Sequence, residues 1–204
     1  MKDNLFKILE EKGIIITNQN QDLIIRNYRQ RYDFLFQGVS LHILIPTLRC
    51  NHRCIYCHSS ARSTASKEYD MTKETAKKVL DFIFQTPAKS ITIEFQGGDS
   101  LLNQDIFKYI VKKAKDKNKE HGKSIRFSLV TNLTLMKEDL FRWITEQKVH
   151  ICTSLDGPEN VHNKNRIYEK NRPTYKDVTS WLKKIKGDNY PISALMVTTR
   201  YSLP

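Results

Sequence analysis

From Leu41 onward, short apolar runs alternate with amphipathic stretches, and this rhythm leaves few architectures open. Leu41-His42-Ile43-Leu44-Ile45 reads as a strand. Residues 72–85 read as a helix, because Ala76, Val79, Leu80 and Ile83 recur at helical spacing and Thr72 is placed to cap it. A second strand runs Ile91 to Gln96, and a second helix, about 104–120, carries Ile106, Phe107, Ile110, Val111 and Ala114 before Gly122. Ile125–Val130 is a third strand, and residues 137–148 are a third helix through Leu140, Trp143 and Ile144. Val149–Ser154 is a fourth strand. Tyr175, Val178, Leu182 and Ile185 mark a fourth helix, and Ile192–Val197 a fifth strand. Such alternation predicts βαβ units and a parallel sheet. About five units fit before Pro204, whereas a closed eight-stranded barrel takes roughly 250 residues. The expectation is an α/β fold, a partial and open barrel. The sequence stops just after a strand and reads as incomplete at its C-terminus.

Residues 1–40 read differently, as a short leader region of unclear function. They combine a helical pattern (Leu5, Ile8, Leu9), a strand-like run Gly13-Ile14-Ile15-Ile16-Thr17 and a polar stretch at 18–22. The partial barrel is assigned to 41–204. Within it the alternating strands keep one polar face: Glu94 with Gln96, Arg126 with Ser128, Cys152 with Ser154. A doubly covered parallel sheet should read more uniformly apolar. A polar inner face implies a cavity for a polar ligand, bound at the C-terminal strand ends.

The chemistry-bearing motifs fall at those ends. After the first strand comes Cys50-Asn51-His52-Arg53-Cys54-Ile55-Tyr56-Cys57, a C-x3-C-x2-C loop. Three thiolates on a four-iron cube leave one iron open to a non-protein ligand, and cysteine thiolates are the usual ligands of such clusters. Two other readings stand beside this one. Cys54-Ile55-Tyr56-Cys57-His58 matches the C-x-x-C-H haem-attachment signature. The three cysteines with His52 or His58 also make a Cys3His zinc set. Haem attachment leaves Cys50 unexplained, and zinc gives no reason for the motifs at the other strand ends.

Strand two ends in Gln96-Gly97-Gly98-Asp99-Ser100-Leu101-Leu102, where two glycines allow close backbone approach and a carboxylate can accept from an ammonium group. Strand three ends in Val130-Thr131-Asn132-Leu133, and strand four in Thr153-Ser154-Leu155-Asp156-Gly157-Pro158, with His162 and Arg166 beyond. Ser154 and Asp156 suit a sugar hydroxyl and Arg166 a carboxylate. Plain βα turns, loop caps and a surface salt bridge are the simpler readings of each piece. Cys152 reads as a barrel residue that packs as a small hydrophobe.

The net charge of +12 raises a nucleic-acid partner. The lysines that carry it (Lys112, Lys113, Lys115, Lys117, Lys119, Lys123) follow one polar helix face and its exit, so a solvated face is the expectation. No apolar run approaches the ~20 residues of a membrane span, and the N-terminus lacks a signal-peptide pattern. A cytoplasmic protein with reduced thiols is expected.

In order and spacing, these motifs together resemble the radical S-adenosylmethionine (SAM) enzymes, of the peptide and sulfatase maturase type. Closer still, the chain is similar to the radical SAM maturase of His-Xaa-Ser peptide systems. Tyr32-Asp33-Phe34-Leu35-Phe36-Gln37-Gly38, Ile93-Glu94-Phe95-Gln96-Gly97-Gly98 and Ala194-Leu195-Met196-Val197-Thr198-Thr199-Arg200 carry that likeness with the strand-end motifs, over about 32–204.

The resemblance implies a (β/α)6-type barrel and a [4Fe–4S] cluster held by Cys50, Cys54 and Cys57. SAM would chelate the open iron and be cleaved reductively to a 5′-deoxyadenosyl radical that modifies a peptide or protein. An external electron donor is implied, and neither a membrane nor a nucleic-acid partner. Position by position it places Tyr56 beside the adenine, and Gly97, Gly98 and Asp99 at the methionyl amine. It puts Ser154 at the ribose and Arg166 at the SAM carboxylate or ribose, with Asn132 and Asp156 shaping the site. It names no catalytic side chain. Where the family usually reads Gly-Gly-Glu-Pro, this chain reads Gly97-Gly98-Asp99-Ser100, with a shorter acid and no proline, which predicts a looser amine contact. Only Cys152 follows Cys57, so no auxiliary cluster forms from this sequence. The alternative from another class is a non-catalytic truncated remnant or metal-binding module.

Overall fold

The computed structural model describes residues 2–203, in two compact units, one ending at Val39 and the other beginning at Ser40. The first unit contains helices α1 (Lys2–Glu11) and α2 (Gln21–Tyr32). The run Gly13–Thr17 is not a strand. Gly13 takes φ +70°, and the Ile14 and Ile15 N–H groups both donate to the Leu9 carbonyl, at 2.9 and 3.2 Å. The isoleucines thus close the end of α1, a helix C-cap in which glycine supplies the left-handed turn. The polar stretch beyond leads into α2, which the sequence pattern did not signal. Asn20 Nδ2 donates to the Glu10 and Ile15 carbonyls, both at 2.8 Å, and ties the two helices' connection together.

The second unit alternates strand and helix: β1 (Leu41–Leu44), β2 (His52–Cys54), α3 (Lys73–Ile83), β3 (Ser90–Phe95), α4 (Gln104–His121), β4 (Ser124–Thr131), α5 (Glu138–Glu146), β5 (Val149–Ser154), α6 (Glu159–Asn165), β6 (Arg166–Tyr168), α7 (Tyr175–Gly187) and β7 (Ile192–Leu195). A five-stranded sheet runs β1-β3-β4-β5-β7 with every pairing parallel. It is open, with β1 and β7 at its edges: a partial, unclosed (β/α) barrel. β2 and β6 form a separate antiparallel ribbon.

Local signals set the helix limits. The Thr72 hydroxyl accepts the Thr75 N–H at 3.1 Å and caps α3, and Gly122, at φ +61°, ends α4. The core lies between the helices and one sheet face. Ile91, Ile93, Phe95, Leu129 and Ile151 meet Leu80, Ile83, Phe107, Ile110, Ile144 and Ile185, all buried. Each such side chain contributes roughly 1.5–3 kcal/mol. Phe107 stacks edge-on between Phe95 and Trp143, with centroids 4.7 and 5.4 Å away.

The opposite face, expected to be polar, is mixed. Register places Ile43, Glu94, Ser128 and His150 in one row across the strands, and Val130, Cys152 and Ser193 in another. Cys152 is 8% exposed. The lysine-rich face of α4 is engaged locally: Lys117 pairs with Asp81 at 2.5 Å and Lys119 with Asp116 at 3.0 Å, while Lys123 Nζ donates to the Thr86 and Ala88 carbonyls. Among the described residues no helix is long and apolar enough to cross a membrane.

Candidate cluster and cofactor site

The segment after β1 is folded back on itself behind the cysteines. Arg62 N–H donates to the Leu48 carbonyl at 2.8 Å, and Cys50 N–H to the Arg62 carbonyl at 3.0 Å. Arg49 staples the fold: its Nε and Nη2 grip both oxygens of Asp70 at 2.8 and 2.7 Å, and it also donates to the carbonyls of Thr64 and Leu102. No motif spacing signals this residue, although it precedes Cys50. Beyond it β2 pairs with β6, setting Cys54 opposite Arg166.

Gly97 and Gly98 make the turn after β3, and the close approach they allow is to the protein itself. A Cβ on Gly98 would stand 2.1 Å from the Arg49 carbonyl oxygen, and one on Gly97 would stand 2.6 Å from that of Thr47. The Gly98 and Asp99 N–H groups donate to those same two residues, Thr47 at 3.0 Å and Arg49 at 2.7 Å. The turn and the chain entering Cys50 are thus one backbone-on-backbone contact. Asp99 is 1% exposed, and its carboxylate accepts from Leu101 N–H, Thr131 Oγ1 and Asn132 N–H at 3.0, 2.8 and 3.0 Å. Burial pushes its carboxyl up from the ordinary value against these three bonds. Ser100 is fully buried, and its hydroxyl donates to the Gln96 carbonyl at 3.0 Å. The turn without proline is closed by a hydrogen bond, and the short acid is held by three.

The end of β4 continues the chain of contacts. Asn132 Nδ2 donates to Asn51 Oδ1 at 2.9 Å and lies 3.9 Å from Cys50 Sγ, which also accepts the His52 N–H at 3.3 Å. At the end of β5, Asp156 is fully buried. It accepts from Arg166 Nε and Nη2 at 3.0 and 3.2 Å, from Val197 N–H at 3.1 Å and from the Tyr56 hydroxyl. Burial and the bond to Asp156 hold the Tyr56 phenol protonated. Arg166 lies over the Tyr56 ring, 5.1 Å from its centroid, and Nη1 reaches Cys54 Sγ at 3.9 Å. Ser154 is half-buried on the inner face of β5.

All four cysteines are free thiols. Burial and the Asp99 charge push Cys50 up to about 12, and burial raises Cys54 against the pull of Arg166. Ligation by a metal deprotonates such thiols outright. Among the described residues no three His, Cys, Asp or Glu side chains are gathered closely enough to hold a single ion. Three cysteine sulfurs on one loop are the usual ligands of iron–sulfur clusters, and N–H donors already point at two of them, Cys50 and Cys54. The donor set fits an iron–sulfur cluster.

Two buried histidines near the site carry a pH dependence: His52, whose pKa burial lowers to about 3, and His162. The Nδ1 atom of fully buried His162 accepts the Asp156 N–H at 3.3 Å, and its Nε2 lies 3.1 Å from Thr174 Oγ1. The Thr174 hydroxyl proton is committed to the Arg166 carbonyl at 2.7 Å, which makes His162 the donor at Nε2 and fixes the neutral tautomer. Burial, then the Arg166 charge, lower its pKa from 6.5 to about 4. The folded value lies below the unfolded one, so the contribution is complete above pH 6.5 and is lost as pH falls toward 4. His162 should account for roughly 1–3 kcal/mol of the fall in the apo protein's unfolding free energy over that window, with His52 adding to it. Denaturant melts at stepped pH check it: His162→Gln should flatten the drop, and equal slopes for both proteins would refute the assignment.

The Radical SAM superfamily profile matches residues 44–201. An uncharacterised protein of Methanocaldococcus jannaschii is 30% identical over 170 residues, 83% of this chain and 57% of that protein. The cysteine-type anaerobic sulfatase-maturating enzyme of Clostridium perfringens is 30% identical over 132 residues, 63% of this chain and 35% of that enzyme. A solved structure of hexahistidine-tagged anSMEcpe with bound AdoMet superposes with TM-score 0.67 at 25% identity, covering 79% of this chain and 43% of that one. The chain thus spans about a third to just over half the length of these relatives. With its cysteine loop and strand ends inside the matched stretch, the chain belongs to the radical SAM superfamily.

Proposed function

We propose that this chain holds a [4Fe–4S] cluster on Cys50, Cys54 and Cys57, binds SAM beside it, and serves a peptide or protein maturase of the His-Xaa-Ser type. The observation that carries the reading is the continuous hydrogen-bonded rim. Asp99 links the ends of β3 and β4, Asn132 reaches Cys50, and Asp156 with Arg166 joins the end of β5 to Cys54. Parallel-sheet folds bind at this end of their strands. The AdoMet-bound relative supports SAM, and the sulfatase-maturating relative supports a protein substrate.

When bound, the cluster and SAM supply one-electron chemistry that yields an organic radical; the protein supplies position and electrostatics. In this reading Tyr56, Gly97, Gly98 and Ser154 face SAM. Asp99, Asn132, Asp156 and Arg166 act by holding those groups and the cysteine loop in place, Asp156 through its bond from Tyr56 among others. The polar inner face, with Glu94, Gln96 and Ser128, orients the substrate, and an external donor delivers the electron. The protein works in the cytoplasm, without membrane or nucleic-acid partners.

The test is anaerobic reconstitution with iron and sulfide, then reduction with SAM present and chromatography for 5′-deoxyadenosine. Wild-type protein should form it, and Cys54→Ala should lower it at least a hundredfold. Product that does not depend on Cys54, or a chain that takes up no iron and sulfide, would sink the proposal. Stoichiometric zinc on the cysteines without SAM binding would point to a metal-binding module instead.

A further inference from the structure

The three thiols have unequal surroundings. Cys50 Sγ faces neutral donors, the His52 N–H and the Asn132 amide. Cys57 is exposed. Among the described residues, Cys54 is the one of the three with a full positive charge in contact with its sulfur. Arg166 spends Nε and Nη2 on Asp156, and only its third nitrogen, Nη1, looks at a sulfur, 3.9 Å away. The guanidinium has little freedom to leave. It is 8% exposed, its backbone pairs in register with Cys54, the Tyr56 ring lies against it, and Asp156 is itself fully buried and held by Val197 N–H. An arginine stays protonated at any accessible pH, so this is a fixed charge and not a titrating one.

We propose that Arg166, clamped by Asp156, is a positioning residue that tunes the reduction potential of the cluster through the Cys54 sulfur. The inference rests on the cysteine loop holding a cluster, as proposed above. Reduction adds one negative charge to the cluster. A desolvated cation donating N–H to a ligand sulfur stabilises the reduced state and raises the potential, because hydrogen bonds to sulfur and nearby charge are the protein's main means of setting it. Asp156 has the opposite sign and lies on the far side of the guanidinium from the sulfur. It orients the guanidinium and partly offsets its charge.

Opposite signs make the test specific. Wild type, Arg166→Gln, Arg166→Lys and Asp156→Asn are reconstituted anaerobically, checked for iron content and thermal unfolding, and titrated redox-wise by electron paramagnetic resonance without SAM. Arg166→Gln should disfavour reduction at least tenfold, a shift of about 59 mV to lower potential for one electron. Arg166→Lys keeps the charge without the fork and should shift in the same direction by less. Asp156→Asn removes the offsetting negative charge and should shift to higher potential. Should Arg166→Gln not fold, the opposed shifts of the lysine and asparagine variants carry the same comparison. Loosening of the loop alone would move every variant one way, and that result, or unchanged potentials, would overturn the proposal. A wild-type protein that assembles no cluster would overturn it together with the reading it rests on, whereas a normal cluster with unmoved potentials would overturn it alone.

Discussion

Gly98→Ala should cost more than about 4 kcal/mol of stability, a large share of the roughly 5–15 kcal/mol that holds a typical domain folded. The added methyl would stand 2.1 Å from the Arg49 carbonyl oxygen and 2.5 Å from that of Leu48. Both atoms are backbone, so no rotamer change relieves the contact. The β3 turn and the chain entering Cys50 would have to part, and the hydrogen bonds from Gly98 and Asp99 across that gap would break with them. Gly122→Ala is the internal control. Its Cβ meets nothing within 4 Å, and the cost there is only the left-handed backbone at φ +61°, about 1 kcal/mol. Chemical denaturation of the two variants separates crowding from conformation. A Gly98→Ala protein within about 1 kcal/mol of Gly122→Ala would show that the two segments do not touch as described.

Asp99→Ala should lose about 3–5 kcal/mol. It strands the Leu101 and Asn132 N–H groups and the Thr131 hydroxyl in a place water does not reach, and each buried unsatisfied donor costs roughly 1–3 kcal/mol. Asp99→Glu, the acid usual in the family, should also destabilise, by about 1–3 kcal/mol, because an extra methylene has no room in a site 1% exposed. Denaturant midpoints of the three proteins order the effects. A glutamate variant more stable than wild type would mean that the aspartate is an ill-fitting substitute. The stability order also bears on the cofactor, since Asn132, which Asp99 holds, reaches the Cys50 sulfur.

Periodicity made the parallel scaffold legible. Strands expected at 41–45, 91–96, 125–130, 149–154 and 192–197 occur at Leu41–Leu44, Ser90–Phe95, Ser124–Thr131, Val149–Ser154 and Ile192–Leu195. Long amphipathic helices with a cap at Thr72 and a stop at Gly122 repeat a pattern often enough to be read. The β2–β6 ribbon was not legible: three residues a side carry no period, and its pairing joins segments more than a hundred residues apart. Gly13–Thr17 misled because β-branched residues favour strands only where a partner strand exists, and here they close a helix. In the site, the cysteines and strand-end motifs were visible by spacing, whereas Arg49, Thr131 and His162 act through contacts that only the fold creates. From the sequence, the shorter acid and the missing proline predict only a looser amine contact. The Ser100 bond to Gln96 and the three bonds to Asp99 supply what spacing could not reveal.

The ribbon also imposes an order on the protein's birth. Cys54 leaves the ribosome 112 residues before Arg166, the residue that faces it. At ordinary synthesis rates of about 5–20 residues per second, the cysteine loop waits roughly 6–20 s without the strand that gives it shape. During that interval the three thiols sit on a nascent chain, open to oxidation and to stray metal ions. Under the function proposed above, iron and sulfide delivered in that interval would meet an unshaped loop, and loading would follow synthesis of Tyr168.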